Sequence, residues 1–127
     1  MKYGMSRQVN LPYDRAVEKV TEELKKEEFG VLTSIDVRET MKKKLNADFK
    51  RYVILGACNP PFAHKALQAE ENIGLLLPCN VVVYEQGDAS VVATFDPMVM
   101  TQVMENEQIV PIATEIKQRL ERVLAAV

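Results

Sequence analysis

The sequence predicts an α+β fold, a two-layer sandwich in which helices pack on one face of a largely antiparallel sheet. Three observations predict it. Apolar, β-branched runs recur at residues 31–37, 52–58, 81–83 and 90–95, and segments with apolar residues at helical spacing separate most of them. Gly87-Asp88 joins the last two runs as a hairpin turn. Helices and strands do not alternate strictly as a parallel α/β chain requires, so two layers with segregated helices fit best. A split βαβ arrangement of the ferredoxin-like type is the alternative topology.

Residues 2–9 form an edge strand closed by Asn10, and Pro12 suits the first turn of a helix because its missing N–H is unpaired there in any case. In that helix Tyr13, Ala16, Val17, Val20 and Leu24 share one face, opposite a face of Glu and Lys. Gly30 is the expected stop, since glycine takes the left-handed backbone that closes a helix. After the strand at 31–37, Met41 and Leu45 mark a short helix, and Asn46-Ala47-Asp48 a turn. Residues 52–58 are apolar almost throughout, the pattern of a central strand covered on both faces. Asn59-Pro60-Pro61 ends that strand and caps a helix at 62–70. Residues 73–77 read either as a further helical turn or as a buried connection. Asp96-Pro97 opens the last helix, whose stripe is Ile109, Ile112, Ala113, Ile116, Leu120, Val123 and Leu124.

A chain of 127 residues buries roughly two thirds of its unfolded surface, enough for one core, and no repeat or Gly/Ser linker divides residues 1–127. Sixteen Lys and Arg against eighteen Asp and Glu leave a formal charge of -2, so no overall field recruits nucleic acid. The apolar runs are far shorter than the roughly 20 residues of a membrane span, and no membrane partner is expected. The polar start, Met-Lys-Tyr-Gly, lacks the apolar core of a secretory signal, and a cytoplasmic location follows as the expectation. In that reducing setting Cys58 and Cys79 are expected as free thiols.

Unusual residues concentrate between Gly56 and Lys65, which hold one of two cysteines, the only histidine and the capped helix start. Free N–H groups and the helix dipole at such a junction favour an anion or a thiolate, and could lower the pKa of Cys58. Cys58 and His64 are then the catalytic candidates, His64 as base. The simpler reading makes Cys58 the last core residue of its strand and Asn59 a plain cap. Cys58, His64 and Cys79 would suit zinc or copper(I) if they converged, but their spacing matches no paired zinc pattern. Met98, Met100 and Met104 read as core or interface filler rather than thioether ligands, and Lys42, Lys43 and Lys44 as a solvated face. No phosphate loop, nucleophile elbow or paired-carboxylate motif is present, and no cofactor is indicated.

Three blocks, residues 30–37, 52–60 and 75–83, together resemble the bacterial and archaeal family called domain of unknown function 302. The likeness covers nearly the whole chain, and Gly56, Cys58, Asn59, Pro60, Ala63, Pro78, Cys79 and Asn80 match its signature. It implies a compact, self-associating α+β domain, with a homodimer as the expected partner arrangement, and assigns no role to any residue. The expected function is a noncatalytic module that binds a small anionic ligand or a soft metal through Gly56, Cys58, Asn59, His64, Cys79 and Asn80. Two alternatives stand beside it: a thiol enzyme using Cys58, and a structural protein dimerising through its terminal helix and Met-rich segment.

Overall fold

The computed structural model describes all 127 residues. The chain runs β1 (Gly4–Val9), α1 (Tyr13–Lys26), β2 (Gly30–Asp36), α2 (Val37–Leu45), β3 (Tyr52–Cys58) and α3 (Pro60–Ala69). A 3-10 segment (Glu71–Leu76), β4 (Cys79–Gln86), β5 (Ala89–Phe95), α4 (Val99–Val103) and α5 (Ile109–Ala126) complete it. One five-stranded sheet in the order β1-β5-β4-β3-β2 holds every strand, and each neighbouring pair is antiparallel. The antiparallel α+β sandwich is therefore the observed fold, and the split βαβ alternative does not hold, because no two helix-joined strands flank a single strand: β1 and β2 lie at opposite edges, and β2–β3 and β3–β4 are direct neighbours.

Period-2 alternation decides which residues the helices cover. Val53, Leu55 and Ala57 of β3, Val81 and Val83 of β4, and Val92 of β5 point to one face. There they meet Ala16, Val20 and Leu24 of α1 and Ile116, Leu120 and Val123 of α5, all buried in one core. The other face carries a continuous cross-strand row, Ile35, Ile54, Val82, Ala93 and Ser6, that is half-buried or exposed. A smaller core joins Ala66 of α3, Ile73, Met100 of α4, and Ile109 and Ala113 of α5. The 3-10 segment and the two short helices thus form a second packing unit at one end of the sheet.

Several boundaries differ from expectation, each for a local reason. Helix α1 is closed by Glu28, not Gly30: Glu28 has φ 69°, its N–H donates to the Lys25 carbonyl, and the Phe29 N–H reaches back to the Leu24 carbonyl at 2.9 Å. This is a Schellman closure with glutamate in the usual glycine place, and Gly30 is already paired with Cys58 in the sheet. Strand β2 ends at Asp36 because that carboxylate accepts from the Glu39 N–H at 2.9 Å and starts α2. Strand β3 is interior but not central, since β4 occupies the middle of the sheet. Residues 71–76 take the helical-turn reading in its tighter 3-10 form. The helix expected from Asp96-Pro97 is two helices, because α4 ends after five residues and the chain breaks before α5. Apart from the half-buried Ile112, the apolar stripe of α5 is buried within one chain, as is Met100, while Met98 and Met104 pack against the smaller core. Most of the expected dimer face is therefore taken up by the chain's own cores, with Val103 and Val110 left exposed beside it.

Candidate functional site

At the end of β3 the two cores fail to close, and the gap is a pocket of about 360 Å³. Thirteen of its 17 wall residues are hydrophobic, and small residues on the surrounding elements explain the space. Helix α3 turns Ala63 and Ala66 toward the pocket, the 3-10 segment brings Gly74, and only Phe62 and Leu67 supply bulk from α3. Leu32 and Thr33 enter from β2 at a register shift between Val31 and Thr33. Such an extra residue re-aims side chains, and here it turns an edge strand toward the opening. Ile112 and Ile116 of α5 and Met100 of α4 complete the walls.

Cys58, Asn59 and Cys79 belong to this wall. Cys79 sits directly opposite Ala57 in the ladder, so the two thiols occupy adjacent strands. Both are free. Burial raises the Cys58 pKa, and burial together with the neighbouring Cys58 charge pushes Cys79 up to about 11. The lowered Cys58 pKa expected from the helix start is not found, and the chain itself supplies the reason. The first two helical positions are Pro60 and Pro61, which have no N–H to offer, and the Ala63 N–H is already given to the Asn59 carbonyl at 2.9 Å.

Asn59 stands at the cap position of α3 without making a side-chain cap. Its Nδ2 instead donates to the Glu27 carbonyl at 3.3 Å, and Arg119 Nη1 donates to the same carbonyl at 3.1 Å. An unpaired carbonyl at the end of α1 is thereby satisfied from two other elements. Asn59 is only 3% exposed, and its Oδ1 is buried without a hydrogen-bond partner.

The remaining expected residues lie elsewhere. His64 is exposed on α3 and is not part of the wall; nor are Gly56 and the exposed Asn80. Gly56 is buried where a side chain cannot fit: a Cβ there would lie 2.8 Å from Pro78 Cγ and closer still to Thr33 Oγ1. No three His, Cys, Asp or Glu side chains are grouped to hold a metal ion, so Cys58, His64 and Cys79 do not form the trio that soft-metal binding needed. The wall contains no Lys, Arg or His, and an anion would meet no opposing charge. Phe29, Thr33, Ala66, Met100 and Ile116 were not legible as site residues. The nearest signal was the run of alanines in α3, small residues on a helix with too little bulk to fill the space beneath it.

A larger groove of about 800 Å³ runs between β1, α1 and the end of α5. It mixes Arg7, Arg15 and Lys19 with Glu18 and Glu22; Arg7 is already committed to the Leu124 and Ala125 carbonyls at 2.8 Å each, and Lys19 to Glu23 at 3.0 Å. With two of its three cations already paired and both signs present, it selects no ligand charge. No helix of the chain is long and apolar enough to cross a membrane.

The model of the family described as "Domain of unknown function DUF302" matches residues 5–127. A solved structure, the uncharacterized conserved protein DUF302 from Bacillus stearothermophilus, superposes with a TM-score of 0.91 at 30% identity, covering 99% of this chain and 98% of that one. No curated protein matches the chain.

Proposed function

Because this chain belongs to the DUF302 family, whose description carries no activity, we propose its function from the pocket: it is a noncatalytic module that binds a small, mainly apolar ligand between β3, α3 and α5. The observation that carries this is the unfilled volume at the junction of two otherwise close-packed cores, about 360 Å³. Ligand pockets begin near 300 Å³, and this one opens to solvent past Leu32, Thr33, Leu67 and Gly74. The ligand is apolar because the wall is, and the two protonated thiols add soft, polarisable surface rather than charge. A thiol enzyme is disfavoured by the same facts, since burial keeps both sulfurs protonated and the only histidine is outside the pocket. Two free thiols suit a reducing compartment, and we place the protein in the cytoplasm on that ground.

The test is a thermal-shift screen of uncharged aromatic and aliphatic compounds against the wild type and Ala63→Phe. Ala63 is a half-buried wall residue on α3, chosen so that a larger ring takes up pocket volume. Compounds should raise the wild-type Tm, and Ala63→Phe should lose at least tenfold in affinity while folding normally. Equal binding by the filled variant would place the ligand elsewhere and sink the proposal.

A further inference from the structure

We propose that the open face of the sheet is the interface of a homodimer, in which two copies of this chain pack face to face about a two-fold axis near Val82. The helices α1 and α5 cover the opposite face, and α2 buries none of its residues. An antiparallel sheet with one wet face alternates apolar-in with polar-out. Here the outward positions of the three inner strands are Tyr52, Ile54, Val82, Tyr84, Val91 and Ala93. The three cross-strand rows that contain them, extended onto β1 and β2, include no charged residue, in a chain that is 27% charged. Polar groups without charge stand toward the edges: Ser6 and Gln8 on β1, Thr33 on β2, and Asn80 at the end of β4, all exposed. An apolar centre depleted of charge inside a polar rim is the composition of a protein interface. A cation marks the margin, where Lys50 Nζ lies 4.7 Å from the Tyr84 ring centroid.

Size and charge identify the occupant as a second copy. Five strands about 4.8 Å apart, at about 3.4 Å per residue, give this face roughly 500 Å² in projection. Two facing copies thus remove about 1,000 Å² before side-chain relief is added, which is the area a specific interface must clear. The whole molecule carries a matching surplus: it exposes 7708 Å², where a compact monomer of 14.3 kDa exposes roughly 6,800 Å². A two-fold axis brings every residue near it against its own copy, so a charge at the centre would repel itself, and this centre has none. A charged partner would find nothing there to pair with. A second sheet of the same width and twist packs on the first at about 10 Å with strands some 30° apart. Val82 lies midway along the middle strand, so an axis there engages all five strands of both copies.

Sedimentation velocity of the full chain, repeated on Val82→Glu and Ala93→Glu, tests this. At about 100 μM the wild type should sediment at twice the 14.3 kDa of one chain. Each variant should keep the wild-type circular dichroism and weaken association at least about a hundredfold, because two carboxylates are then forced together out of water. A wild type that stays a single chain at that concentration overturns the proposal. So does a dimer that persists in a folded variant, since the contact would then run through a strand edge or the exposed Val103 and Val110. If neither variant folds, methyl NOEs between differently labelled wild-type chains decide. They should join Val82 and Ile54 to the partner copy, and intermolecular NOEs confined to other methyl groups, or none at all, count against the face.

Discussion

Raising the pH should destabilise this protein through Cys79 in a way that one substitution removes. The thiol is buried at the start of β4, and its pKa stands at about 11 against an ordinary 9.0. The folded state therefore holds the proton more tightly than the unfolded chain does. The resulting stability is fully present below pH 9, where both states are protonated, and is lost as pH rises through 11, where both are ionised. Two pKa units correspond to about 3 kcal/mol at about 1.4 kcal/mol each, an appreciable share of the 5–15 kcal/mol that stabilises a typical domain. Tyr13 and Tyr52 are also raised by burial and act in the same direction. The informative quantity is thus the difference between wild type and Cys79→Ala. Urea denaturation followed by circular dichroism from pH 8 to 11 should show the wild type losing about 2–3 kcal/mol more than the variant, whatever constant amount the smaller side chain costs. Iodoacetamide alkylation gives an independent reading. A pKa two units higher leaves one hundredth of the ordinary thiolate below pH 9, so Cys79 should react at least a hundredfold more slowly than an unfolded cysteine. Parallel stability curves for the two proteins, or alkylation of either cysteine that inflects below pH 8, would refute the reasoning and restore the thiol-enzyme reading.

Two substitutions probe the backbone around the site. Gly56→Ala should destabilise by about 1–3 kcal/mol, measured from the urea midpoint, because the new methyl group meets the rigid Pro78 ring at 2.8 Å as well as Thr33. Glu28→Gly should stabilise by about 0.5–1 kcal/mol, since it relieves a φ of 69° while adding unfolded-state entropy. The ion pair it removes, Arg119 with an exposed Glu28 at 3.6 Å, contributes little. An unchanged or lower midpoint in Glu28→Gly would show that the glutamate has a role that the left-handed position does not explain.

Much of the fold was legible because its signals are local. The hairpin at Gly87-Asp88 depends on turn chemistry within a few residues, and the α1 and α5 stripes on a 3.6-residue period, and all three appear in the structure. The errors were equally local. A glycine two residues from the true closure drew attention from Glu28, since nothing in propensity favours glutamate with positive φ over a nearby glycine. The break between α4 and α5 falls at the polar run Glu105 to Gln108, which reads equally as the solvated face of one continuous helix, because Met100 and Ile109 on either side are buried in the same small core.

The candidate site divides along the same line. Sequence alone marked the strand-to-helix junction at Cys58 and Asn59, and it marked Cys79, through residue chemistry and abrupt punctuation by proline. Tertiary structure alone decided that His64 and Asn80 lie outside the wall, that both thiols are protonated, and that the space beside them is apolar. Protonation depends on burial and on the charges that other elements bring close. A void depends on how α3, the 3-10 segment, α4 and α5 meet over the end of the sheet, with Ala63, Ala66 and Gly74 too small to close it. Periodicity states which face of an element is apolar; whether two such faces meet without a gap is a sum over long-range contacts that no short window of sequence contains.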